Sequence, residues 1–118
     1  MEQTAENSKI QMRRGVLEYS ILLVLQHGDE YPSSIIQKLK DADLIVVEGT
    51  LYPLLVRLKN MGLLKYRWEE STQGPPRKYY SITEKGKEQL TELDATWNEL
   101  ALSIESLRNP SDKAISVI

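Results

Sequence analysis

The stretch Glu48–Gly62, EGTLYPLLVRLKNMG, constrains the fold of this chain more than any other. At about 100° per residue, Leu51, Leu54, Leu55, Leu58 and Met61 fall on one face of a helix. Gly49, Tyr52, Pro53, Val56, Arg57 and Asn60 fall on the other side. Pro53 is expected in the first turn, where its missing N–H has little or no intrahelical partner. Gly62 suits the left-handed residue that ends a helix. A short helix therefore anchors one face in a core and turns hydroxyls, a tyrosine and an arginine outward.

Directly after it the period changes. Leu64, Tyr66 and Trp68 alternate with Lys65, Arg67 and Glu69, which predicts a strand with an apolar inner face and a charged outer one. The run STQGPP, residues 71–76, is a turn cluster, and Lys78 to Ile82 returns as a second strand. Arg77 and Lys78 fall at the tip or shoulder of this hairpin. Two strands alone are marginal in water, so the hairpin must pack on the helices.

Upstream, residues 1–9 are polar and expected to be a flexible terminus. Between Ile10 and Gln26 apolar residues cover most of a helical circumference, the pattern of a buried helix, and Gly28 stops it. Arg13 and Arg14 near its exposed start read as solvated surface charges, with phosphate contact as the alternative. Pro32 fits a first helical position, and Ile35, Ile36 and Leu39 give the next helix an inner face that ends by Asp43. Leu44–Val47 is a β-branched run that predicts a minor strand. Two short helices joined by a few residues, the second with an exposed polar face, make a helix-turn-helix. The expected fold is mainly α with a small antiparallel β-wing. Residues 10–82 form the winged helix-turn-helix, the arrangement by which such proteins read DNA.

Thr83 is a plausible N-cap for a last helix over residues 83–108, with Glu84 in its first turn. Leu90, Leu93, Trp97, Leu100, Ile104 and Leu107 are spaced 3, 4, 3, 4 and 3 apart, a heptad seam. The seam could pack on its own domain, but the upstream elements have enough apolar faces to satisfy one another. It is therefore read as a dimerisation helix, which suits a DNA reader that needs two half-sites. Asn109 and Pro110 end it, and residues 109–118 read as a second flexible terminus.

Composition removes other classes. With no cysteine and a single histidine, His27, the 118 residues offer no thiolate or histidine cluster for a metal. No Gly-rich phosphate loop or carboxylate pair in an obvious cleft suggests an enzyme or a cofactor. The apolar run Ile21–Leu25 is far short of the roughly 20 residues of a membrane span, and nothing resembles a signal peptide. A cytoplasmic protein is expected. The formal net charge of −2 lacks the basic footprint common in DNA binders. Its distribution differs from its sum. Between residues 57 and 80, Arg57, Lys59, Lys65, Arg67, Arg77 and Lys78 face only Glu69 and Glu70, while acids outnumber bases after residue 81.

Two motifs carry a family resemblance: GTLYPLLVRLKNMGLL and, after the proper interval, GPPRKYYSITEKG. Gly49, Thr50, Leu51, Tyr52, Pro53, Arg57, Leu58, Gly62 and Leu63 match the first part of the pattern of the PadR family of bacterial transcription regulators. Arg77, Lys78, Tyr79, Tyr80, Thr83 and Gly86 match the second. The likeness spans about residues 10–107, and the single last helix resembles the short subfamily. Where many members read Y-G-Y-E-I, this chain has Tyr31-Pro32-Ser33-Ser34-Ile35. The resemblance implies a homodimeric repressor of transcription. It also implies, for some short relatives, a flat hydrophobic effector held at the dimer centre between tryptophans, where Trp97 is the comparable residue. Plain interface packing is the alternative for Trp97.

Both motifs contain residues expected to meet double-stranded DNA. Thr50 and Tyr52 offer hydroxyls and Pro53 an apolar edge to the groove, while Arg57 is placed for backbone phosphate. Arg67, Arg77 and Lys78 put the wing against phosphate or into the minor groove. Thr50 read as an N-cap and Tyr52 as a half-buried hydrophobe are the structural alternatives. The competing function is a winged-helix module that joins proteins without touching DNA.

Overall fold

Six elements follow the chain in a computed structural model that describes residues 2–44 and 46–110. They are α1 (Glu2–Gln26), α2 (Pro32–Asp41), α3 (Glu48–Asn60), β1 (Leu64–Glu69), β2 (Arg77–Ile82) and α4 (Glu84–Arg108). The fold is the expected one: mainly helical, with one two-stranded antiparallel sheet.

Leu17, Ile21, Leu22 and Leu25 of α1, Ile35 and Leu39 of α2, and Leu51, Leu55 and Leu58 of α3 meet in the core. Leu64, Tyr80 and Leu90 close it from the sheet and α4. Helix α1 differs from the sequence reading in two ways. It extends back to Glu2, where a flexible terminus was expected, because Glu, Gln, Ala and Lys favour helix without forming an apolar face. Nor is it buried throughout: Ile10 is exposed and Met12 is 80% exposed. At about 1.5 Å per residue a helix of this length outruns the far shorter α2 that packs against it.

Helix α2 begins on Pro32, as the sequence predicts, and ends with Asp43 in the left-handed region at φ 62°. Asp43 N–H donates to Lys40 O and Leu44 N–H to Leu39 O, the two bonds that close such a terminus. The minor strand is absent from Leu44, Val46 and Val47, and Ile45 lies outside the described residues. Glu30 takes the free edge of β2 instead, exchanging both backbone bonds with Tyr80. Val46 is buried as a core plug.

Helix α3 begins one turn earlier than Pro53 requires. Val47 is its cap, so Pro53 falls in the second turn rather than the first and has no N–H for the Gly49 carbonyl. At the other end Gly62 takes φ 80°, with Gly62 N–H on Lys59 O and Leu63 N–H on Leu58 O. The paired side chains Leu58 and Leu63 are both buried, which completes the stop. Of the predicted inner face, Met61 alone is exposed.

In the hairpin Leu64 faces Ile82, Tyr66 faces Tyr80 and Trp68 faces Lys78. Burial fades outward along that face, from Leu64 through Tyr66 to an exposed Trp68. The inner-face assignment of Trp68 is thus corrected, because the strand runs past the edge of the core. Helix α4 starts where Thr83 accepts a hydrogen bond from Gly86 N–H at 3.0 Å. Thr83 also donates to Gly62 O, and Lys85 donates to Met61 O. Leu90, placed in the seam by its spacing, is 4% exposed inside the chain's own core, and Leu93 packs against that core. Neither forms part of the free stripe, which begins at Trp97.

Candidate nucleic-acid interface

The outward face of α3 is as the helical period predicts: Thr50, Tyr52, Pro53, Val56 and Arg57 are all exposed. Thr50 is not the helix cap, which Val47 occupies without any side-chain bond. Tyr52 stands clear of the core as well. Arg57 is the exception to a free surface, since its guanidinium pairs with Glu18 of α1 at 3.2 Å.

The wing has two differently used faces. On one, a stack ties β1, β2 and the segment before α2 together. Arg77 lies 3.9 Å over the Tyr31 ring, Tyr31 and Tyr79 have centroids 4.6 Å apart, and Arg67 lies 4.5 Å over Tyr79. Arg67 also donates to Glu69 at 2.8 Å and to Asp29 at 3.1 Å. Those bonds, to Glu69 first and then Asp29, raise the guanidinium pKa above its ordinary value. Arg67 is held by two carboxylates, whereas Arg77 and Lys78 have none within ion-pair distance among the described residues. On the other face the Lys78 ammonium sits 4.6 Å from the Tyr66 ring and 5.6 Å from Trp68. Cation–π attraction of this kind pre-places a lysine without neutralising it.

Between α3, the start of α2 and the wing lies a cleft of about 390 Å³. Tyr52 and Val56 form one wall, Trp68, Arg77 and Lys78 the other, and Ser33 its end. No carboxylate lines it. Trp68, 61% exposed, was missed as a surface residue because a period-two pattern gives the face of a strand but not where the core ends. A second hollow of about 200 Å³ brings Arg13 and Arg14 beside Val47 and Thr50. Those arginines therefore flank the start of α3.

Trp97 of α4 is 47% exposed, with its ring 6.3 Å from Tyr19 of α1. The Tyr19 hydroxyl donates to Asp94 at 2.6 Å, and that bond is the main reason its pKa is raised. Val16, Tyr19, Ser20, Leu23, Leu44 and Trp97 border a largely apolar hollow of about 370 Å³. Beyond it Leu100, Ile104 and Leu107 are exposed along α4. Among the described residues no helix is long and apolar enough to cross a membrane, and no cluster of histidine and carboxylates has the makings of a metal site.

The sequence pattern of the transcriptional regulator PadR-like family matches residues 21–92, from the buried half of α1 through the wing to the start of α4. The chain belongs to the PadR-like family. Its members are transcriptional regulators, not enzymes. A PadR-like transcription factor from Bacteroides fragilis is 61% identical, with a TM-score of 0.73 over 86% of this chain and 98% of that one. A PadR family regulator from Eggerthella lenta is 31% identical, with a TM-score of 0.80 over 92% of this chain and 95% of that one. Bacillus subtilis PadR, solved in complex with operator DNA, is 26% identical and has a TM-score of 0.62. That match covers 66% of this PadR-like chain and 46% of the Bacillus chain.

Proposed function

We propose that this PadR-like regulator binds operator DNA as a homodimer and represses transcription in the cytoplasm. One observation carries the reading. The exposed Thr50, Tyr52 and Pro53 of α3 stand beside a cleft whose charged groups, Arg77 and Lys78, are cations with no acid among its lining. In this reading α3 enters the major groove, and Arg77 and Lys78 meet phosphate or the minor groove edge. Arg57 and Arg67 divide their charge between DNA and the carboxylates they already hold, so their main work is to position α3 and the wing. The operator-bound Bacillus relative supports the same use of the fold. A gel shift with the protein's own upstream region, repeated across salt concentrations, tests the proposal. Failure to shift any such duplex would favour the protein-interaction module.

The second copy is assigned to the stripe Trp97, Leu100, Ile104 and Leu107, which α4 leaves uncovered. An exposed apolar run of this length is costly in water and suits pairing of like helices. The hollow beside Trp97 supports a further reading, in which a small planar hydrophobic effector binds there and shifts the spacing of the two α3 helices. Trp97 fluorescence titrated with planar aromatic compounds tests this. A flat response across a diverse panel would leave Trp97 as packing.

A further inference from the structure

A grip on DNA made of charge alone has no use for an indole beside its lysine. Trp68 is nevertheless fixed there, edge-on to Tyr66 with an interplanar angle of 88° and centroids 5.9 Å apart. Lys78 lies opposite it in the strand register and leans over both rings. Across the cleft stand Tyr52 and Val56 of the helix assigned to the major groove. A duplex that puts its major groove on α3 and an adjacent minor groove near the wing must pass one sugar–phosphate strand between them. Such a strand has two chemical faces: anionic phosphate and the C–H surface of deoxyribose. The cleft has a match for each, a cation and an aromatic wall, and no carboxylate to repel either.

We propose that Trp68 is a DNA-contacting residue that packs on deoxyribose of that strand while Lys78 takes a neighbouring phosphate. The inference rests on the DNA-binding reading above and deepens it. The two interactions differ in their response to salt. Neutralising a phosphate releases counterions, so removing the Lys78 ammonium flattens the dependence of log affinity on log salt by about 0.9 per phosphate. An apolar interaction releases none. Removing the Trp68 ring therefore weakens binding by a similar factor at every salt concentration.

The test measures fluorescence anisotropy of a labelled duplex from the protein's own upstream region, with full-length unaltered protein, Trp68→Ala, Trp68→Phe and Lys78→Ala, from low to high salt. Trp68→Ala is expected to weaken binding about tenfold with an unchanged slope, the loss of roughly one buried ring face. Trp68→Phe recovers most of that loss, and Lys78→Ala lowers the slope. Circular dichroism checks folding, and the Trp68→Phe result stands by itself should the alanine variant unfold. Wild-type affinity in Trp68→Ala, a salt slope reduced as in Lys78→Ala, or no recovery with phenylalanine would overturn the inference while Lys78→Ala still upholds DNA binding. A duplex that the unaltered protein does not bind would overturn the underlying reading and this inference together.

Discussion

Gly86 and Leu63 approach so closely that a Cβ at residue 86 would stand 2.2 Å from the Leu63 carbonyl oxygen. The obstruction is backbone, and the Leu63 carbonyl already accepts the Thr83 N–H at 3.0 Å. It cannot swing aside without breaking that bond. Gly86→Ala should therefore destabilise the fold by about 3 kcal/mol, the upper end for overpacking. Urea denaturation followed by circular dichroism measures it. A midpoint equal to that of the unaltered protein would show that α4 can back away from the end of α3.

Asp43 presents the opposite case, a side chain where glycine would fit better. It holds φ 62° at the end of α2, a conformation that costs L-residues energy even when their side chains are short and polar. Asp43→Gly should stabilise the protein by about 0.5–1 kcal/mol. The same urea experiment reads the gain, and a loss would mean that the carboxylate has a role at the helix-turn-helix corner.

Arg77 and Lys78 are the cations of the cleft, and the double change Arg77→Ala/Lys78→Ala should reduce both operator affinity and its salt dependence. The slope should flatten by about 0.9 for each phosphate that the wing no longer neutralises. Anisotropy titrations at several salt concentrations check this. An unchanged slope would mean that the wing does not bear on the DNA backbone.

Leu90 and Leu107 belong to one heptad seam but to different environments. Leu90→Ala should cost about 2–5 kcal/mol of stability, as a cavity in a packed core does. Leu107, 76% exposed on the chain itself, should tolerate Leu107→Glu with its helical signal intact while the sedimentation coefficient falls toward that of a single chain. A Leu107→Glu protein that still sediments as a dimer would place the joint between copies elsewhere.

Tyr19 and Tyr80 both have pKa values raised from the ordinary 10.0, Tyr19 first by its bond to Asp94 and Tyr80 first by burial. For each phenol the folded state holds its proton to higher pH than the unfolded state. The stability this linkage brings is therefore fully present below about pH 10 and lost as pH rises through the folded values. Tyr19→Phe should make the alkaline fall in stability shallower, and absorbance at alkaline pH should lose one late-titrating phenol. A profile identical to that of the unaltered protein would show that Asp94 does not hold the Tyr19 proton in solution.

The parts of the fold visible in the sequence are those whose local period matches their burial. Leu51, Leu55 and Leu58 repeat at helical spacing and are buried at that spacing, and Gly62 stops the helix with the backbone angle that only glycine adopts freely. What was not visible depends on where neighbouring elements end. The period of β1 gave Trp68 the same face as Leu64, but the core does not reach that far. The seam gave Leu90 and Leu107 the same face of α4, but the chain's own core takes in the first and does not reach the second. Polar residues 2–9 form helix without an apolar stripe to announce it. Of the candidate site, the exposed face of α3 and the two wing cations beside it were legible in the sequence. Glu18 of α1, which holds Arg57, and Asp29 of the α1–α2 loop, which shares Arg67 with its strand neighbour Glu69, are remote in sequence, and no local pattern links them to the site.

Thr83 and Lys85 fasten the base of α4 to the carbonyls of Gly62 and Met61, at the point where α3 ends and the wing begins. A rod of 25 residues is thus bolted to both reading elements at one end. At about 1.5 Å per residue it reaches nearly 40 Å, so a tilt of ~5° between two such rods moves a distant end by roughly 3 Å. In the homodimer proposed above, leverage of that kind would turn a small adjustment beside Trp97 into a misfit between the two α3 helices and the pitch of a duplex.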